Sequence, residues 1–174
     1  VMMYLTALSH LLVSTVGYNW YRQNLIKHRN PARWIEYSIT SSIMIMLIAL
    51  LCGINDLAAL LPLVAINATM NLFGDLMELH NQTTERTDWT SFLYGTFAGV
   101  VPWIVIILYF LGAVIPSSDA LPGFVLLIVL SMLAFWIRFP INMILQYKKV
   151  GRWEDYLYGE RAYIILSLVS KSAL

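Results

Sequence analysis

The chain carries little charge for its length. Asp, Glu, Lys and Arg make up 12% of its 174 residues, against roughly 25% in ordinary soluble domains. It has one cysteine, Cys52, which excludes an intrachain disulfide. There is no Cys/His cluster at zinc spacing, no glycine-rich phosphate loop and no nucleophile elbow. No nucleophile, base and oxyanion set can be assembled, so the chain does not read as an enzyme. A net charge of +1 makes no electrostatic case for nucleic acid.

What the chain has instead is apolar length: 59% of its residues are hydrophobic. Six apolar segments run over 1–21, 32–52, 55–79, 89–113, 121–147 and 156–174. Each is near the ~20 residues that cross a bilayer as a helix. The reading is an all-α integral membrane protein, a single transmembrane domain over 1–174. Pro31 suits a first helical turn. Gly53-Ile-Asn-Asp56 and Pro116-Ser-Ser-Asp119 read as tight connections. The chain starts at Val1 and ends inside an unfinished helix, so it reads as a fragment without its native ends.

Loop charge orients the spans. Arg22, Lys27, Arg29 and Arg33 lie between the first two, Arg86 between the third and fourth, and Lys148, Lys149 and Arg152 between the last two. The connections around Asp56 and Asp119 contain no Lys or Arg. The positive-inside rule places the basic loops in the cytoplasm. One helix before Val1 would complete seven, with a cytoplasmic N-terminus.

Lys171 is the most informative residue. Ten residues of helix beyond Arg161 carry it roughly 15 Å inward, about the middle of a hydrocarbon core of roughly 30 Å. A lysine there is costly unless paired, wet or chemically modified, and a desolvated amine can condense with an aldehyde. The bland alternative is a helix end whose lysine snorkels to the far surface. Glu36, one turn into the second span, is the candidate counterion. Its alternative is a carboxylate stabilised by the helix N-terminus.

Other polar residues fall into patterns. Ser167 precedes Lys171 by one turn and shares its face. Thr40 and Ser41 extend the polar face of Glu36, though helical hydroxyls ordinarily bond back to the preceding turn. His10 lies roughly 18 Å from Arg22 along the first span, as a packing residue or a proton-handling one. Asn67, Asn71, Asp75 and Glu78 form one helical stripe, for a water cavity or a helix contact, with Asp75 and Glu78 at its cytoplasmic end as interfacial residues in the plainer reading. Trp136 and Pro140, one turn apart, flank a kink. Arg138 between them either snorkels or lines a cavity.

Together these residues resemble the heliorhodopsins. Asn-Pro-Ala-Arg-Trp-Ile-Glu-Tyr-Ser-Ile-Thr-Ser-Ser at 30–42 is similar to that family's third helix. Glu-Arg-Ala-Tyr-Ile-Ile-Leu-Ser-Leu-Val-Ser-Lys at 160–171 is similar to its seventh. The resemblance covers the chain as helices two to seven of a seven-helix rhodopsin-like bundle. It implies all-trans retinal as a protonated Schiff base on Lys171, with Glu36 as the sole carboxylate counterion. It also implies Ser167 and Ser41 beside that linkage, and Asn67, Met70, Trp136 and Pro140 around the polyene. His10, Arg33, Thr40 and Glu78 are assigned to a polar cavity. A homodimer, a plasma-membrane location and a cytoplasmic signalling partner are further expectations.

Arg33, Glu36 and Thr40 match the third-helix spacing of light-driven pumps. The pumps' second acid, one turn before the lysine, is Ser167 here, and their proton-donor position is Leu47. A proton relay needs groups with staggered proton affinities, so light sensing with a slow photocycle is expected. Light-driven or light-gated ion conduction through His10, Glu36, Asn71 and Glu78 is one alternative. A retinal-free membrane regulatory protein is another.

Overall fold

The computed structural model describes residues 1–115 and 123–174. The expected turn at Pro116–Asp119 lies outside the described residues. All regular structure among the described residues is helical. The chain divides into two compact units, Val1–Ala120 and Leu121–Leu174.

The first unit contains α1 (Met2–Ser14), α2 (Tyr18–Ile26), α3 (Pro31–Leu51), α4 (Leu57–His80) and α5 (Thr90–Val114). Helix α4 packs against both α3 and α5, and α1 lies on α3. Small residues permit this closeness. A Cβ on Gly74 of α4 would stand 2.4 Å from the Trp34 ring of α3, and one on Gly95 of α5 would stand 2.9 Å from Phe73.

Local chemistry sets the helix starts. Asn30 caps α3, its side chain accepting from the Arg33 N–H at 3.1 Å, with Pro31 in the first turn. Asp56 caps α4 by accepting from the Ala59 N–H at 3.2 Å. Between them Gly53 turns the chain at φ 90°, a conformation open mainly to glycine.

The first apolar segment does not form one helix. The Thr15 hydroxyl donates to the Leu11 carbonyl at 2.6 Å and the Ser14 hydroxyl to the same carbonyl at 3.0 Å. Side chains thus take a carbonyl the helix ladder would use. The helix ladder is interrupted, with the Gly17 N–H on the Leu12 carbonyl at 2.8 Å, and the chain restarts as α2. Helix α1 runs for 13 residues, Met2–Ser14, up to this break.

The second unit contains α6 (Gly123–Tyr147), a 3-10 turn (Gly151–Glu154) and α7 (Tyr156–Ala173). Asp155 caps α7, accepting from the Leu157 N–H at 2.9 Å. Buried Asn142 of α6 ties the unit together. It donates to the Gly159 carbonyl of α7 at 3.1 Å and accepts from the Trp153 indole at 2.7 Å.

Among the described residues, α3, α4, α5 and α6 are long and apolar enough to cross a membrane. Helix α7 spans 18 residues but includes Glu160, Arg161 and Lys171.

Candidate functional site

In the first unit, α3 and α4 share a continuous polar seam. Asn67 donates to the Ser41 and Ser42 hydroxyls at 2.9 and 3.1 Å, and Asn71 donates to Ser41 at 2.9 Å. One helical turn later Asp75 meets Arg29 at 2.8 Å, and Glu78 meets Arg33. The predicted stripe on α4 is therefore a helix contact. The ion pairs are long-range contacts that the spacing within one helix does not specify. Arg29 and Arg33, four apart, complement Asp75 and Glu78, three apart, and that pattern was available.

Glu78 is enclosed. Its second carboxylate oxygen accepts from the Asn30 backbone N–H at 2.7 Å. Arg33 also lies over the Trp34 ring, 4.4 Å from its centroid. Both members of the pair are buried. A buried pair of this kind costs desolvation, which good geometry and added hydrogen bonds offset. Arg33 and Glu78 thus occupy one place on the seam.

Glu36 sits on the buried side of α3, and its Oε1 accepts from the Thr6 hydroxyl of α1 at 2.6 Å. The cap of α3 is supplied by Asn30 instead. Thr40 bonds back to the Glu36 carbonyl at 3.0 Å, and Ser41 to Tyr37 at 2.7 Å. His10 follows Thr6 by one turn on α1 and is exposed. Met70, on α4 between Asn67 and Asn71, is half-buried.

In the second unit, Lys171 lies in the last turn of α7 and is 5% exposed. Ser167, one turn earlier, is equally buried. Its hydroxyl has no hydrogen-bond partner among the described residues. Ser170 behaves differently, donating to the Ser167 carbonyl at 3.1 Å. An unsatisfied buried hydroxyl costs about 1–3 kcal/mol and calls for an explanation. Trp136 and Pro140 lie on α6, both half-buried. Phe139 and Tyr163 bring α6 and α7 together, ring centroids 6.1 Å apart.

Arg138 is exposed on α6 and bonds back to the Ala134 carbonyl at 2.9 Å. With Ser131, Phe135, Ile165 and Val169 it borders an open groove of about 390 Å³ between α6 and α7. Ile165 and Val169 are exposed, whereas Ser167 and Lys171 are buried. The groove therefore lies on a different face of α7 from the lysine.

Each unit holds a buried polar group of its own. One has a buried primary amine with an unsatisfied hydroxyl a turn away. The other has a buried carboxylate held by a hydroxyl. The family model described as Heliorhodopsin matches residues 1–174. No curated protein matches the chain.

Proposed function

The chain belongs to the heliorhodopsin family, and from that premise we propose a light sensor carrying all-trans retinal as a protonated Schiff base on Lys171. Membership implies an integral membrane protein of retinal-binding, photoreceptor type. The observation that best supports the finer reading is the buried Lys171 with the unsatisfied Ser167 hydroxyl one turn before it. When bound, retinal supplies absorption of visible light and an isomerisation.

The chain's own residues do the rest. Lys171 anchors the cofactor, and its burial keeps bulk water from the linkage. Glu36 offsets the positive charge, as a buried cation requires. Thr6 orients that carboxylate. Ser167 offers its hydroxyl as a nearby donor or acceptor. Asn67 and Ser41 lock α3 to α4 beside the chromophore. Met70, Trp136 and Pro140 are assigned to the polyene.

Signalling is favoured over ion conduction. Glu78, one of the residues a conducting path would use, is held by Arg33 and the Asn30 N–H. Asn71 is held by Ser41. Neither can relay an ion without breaking those bonds. The output is a slow photocycle passed to a cytoplasmic partner from a plasma-membrane homodimer with a cytoplasmic N-terminus.

A visible spectrum tests this. The full-length protein with all-trans retinal is compared with Lys171→Ala and Glu36→Gln. The expected result is a band lost in the lysine variant and shifted red in the glutamine variant. A folded protein without a band, or a band that survives Lys171→Ala, overturns the proposal.

A further inference from the structure

We propose that α2 is an interfacial helix that binds the anionic headgroups of the bilayer. Helix α2 has nine residues and buries none of them. Isolated helices shorter than ~12–15 residues are marginal in water. Its side toward the protein carries Tyr21, Asn24 and Leu25, all only half-buried. The rest of its circumference is exposed: Tyr18, Arg22 and Ile26 on one flank, Asn19 and Gln23 at the middle and Trp20 on the other flank, with Lys27 just past the helix end. Tyr and Trp mixed with basic residues are the composition of a headgroup-level belt.

Charge identifies the occupant. Residues 1–35 contain Arg22, Lys27, Arg29 and Arg33 but no Asp or Glu. Arg29 and Arg33 are neutralised by Asp75 and Glu78 of α4. Arg22 and Lys27 have no ion-pair partner among the described residues. Of the four cations in residues 1–35, the two on the exposed element are therefore the two without an ion-pair partner among the described residues. An anionic lipid surface supplies the missing charge, and its apolar boundary accepts Trp20, Tyr18 and Ile26.

The helix is held in place for this role. Its end is pinned where the Gln82 side chain donates to the Lys27 carbonyl at 3.3 Å. His28 then turns the chain at φ 55°, and Arg29 grips Asp75. Both ends of the element are thus defined, by the Gly17 turn and by this anchor, while its face stays open.

The test is amide hydrogen exchange of residues 18–27 in the full-length protein, reconstituted in nanodiscs. Discs of phosphatidylcholine alone are compared with discs containing phosphatidylglycerol. A basic residue near an anionic surface is worth roughly fivefold, so two give about 30-fold. Exchange is expected to slow by about that factor in the anionic discs. The slowing should disappear in Arg22→Gln/Lys27→Gln and shrink in high salt, with α4 and α5 unchanged as the folding control. Trp20→Ala should raise exchange in both discs. Equal exchange in the two lipid compositions, or slowing that persists in the double variant, overturns the proposal. Slowing seen only on adding a soluble cytoplasmic fraction assigns the face to a protein and overturns it as well.

Discussion

Arg29 grips Asp75 through two nitrogens, with Nη2 at 2.8 and 3.0 Å from the carboxylate oxygens and Nε at 3.2 Å from one of them. One turn deeper, Arg33 holds Glu78. The two bridges look alike but differ in burial. The outer side chains are 21% and 24% exposed, the inner ones 5% and 2%. Exposed pairs contribute about 0–1 kcal/mol. Removing one partner of a buried pair costs about 3–5 kcal/mol, because the other charge stays buried. Thermal unfolding in detergent should therefore show a small loss for Asp75→Asn and a large one for Glu78→Gln. Equal losses would mean that water reaches Glu78.

The hydrogen bond from Thr6 to Glu36 makes a spectral prediction that rests on the proposed counterion. The donor spreads the carboxylate's negative charge. Thr6→Val concentrates that charge and widens the absorption gap, so the band should move to the blue. Glu36→Gln removes the charge and should move it to the red. Absorption spectra of the two variants decide the matter, and shifts of the same sign would refute the role of Thr6.

Gly74 is a tight contact between α4 and α3. A methyl group there meets the Trp34 ring at 2.4 Å, and an indole between two packed helices has little room to yield. Gly74→Ala should cost about 1–3 kcal/mol, the usual range for overpacking. Gly112, with nothing within 4 Å of its Cβ position, is the control. Gly112→Ala should leave the unfolding temperature unchanged or raise it slightly.

Asp88 lies in the loop before α5, where it accepts from the Thr90 N–H at 2.9 Å. Hydrogen bonds from the Thr90 side chain and backbone hold its carboxyl below the ordinary 3.8. A lowered value favours the folded state above the unfolded value, and that contribution is lost as pH falls through the folded value. The start of α5 should therefore exchange its amides faster, relative to their intrinsic rates, below about pH 4. Asp88→Asn should flatten this pH dependence. An unchanged profile in the variant would show that another group controls the end of the helix.

Much of this protein is legible residue by residue, because its determinants are local. Asn30-Pro31 and Asp56 start helices through bonds spanning three residues. The spans of α3 to α6 follow from apolar length alone. Lys171 announced itself as an ammonium in an apolar run, and Ser167 as its neighbour at helical spacing. The stripe on α4 was visible, but whether it faced water or a helix was not, since periodicity names a face and not its partner.

The sequence by itself determined an all-helical membrane chain, its cap residues and the helical faces that carry polar groups. These are matters of hydropathy and of contacts within one turn. Only the tertiary structure decided that Arg29 and Arg33 are consumed by Asp75 and Glu78, while Arg22 and Lys27 have no ion-pair partner among the described residues. It also decided that Thr40 and Ser41 bond back to their own helix while the Ser167 hydroxyl has no hydrogen-bond partner among the described residues. The break between α1 and α2 belongs there too, since Leu11 could have kept its carbonyl for the helix. Each of these is a choice among competing partners, and such a choice depends on which side chains packing brings within about 3 Å.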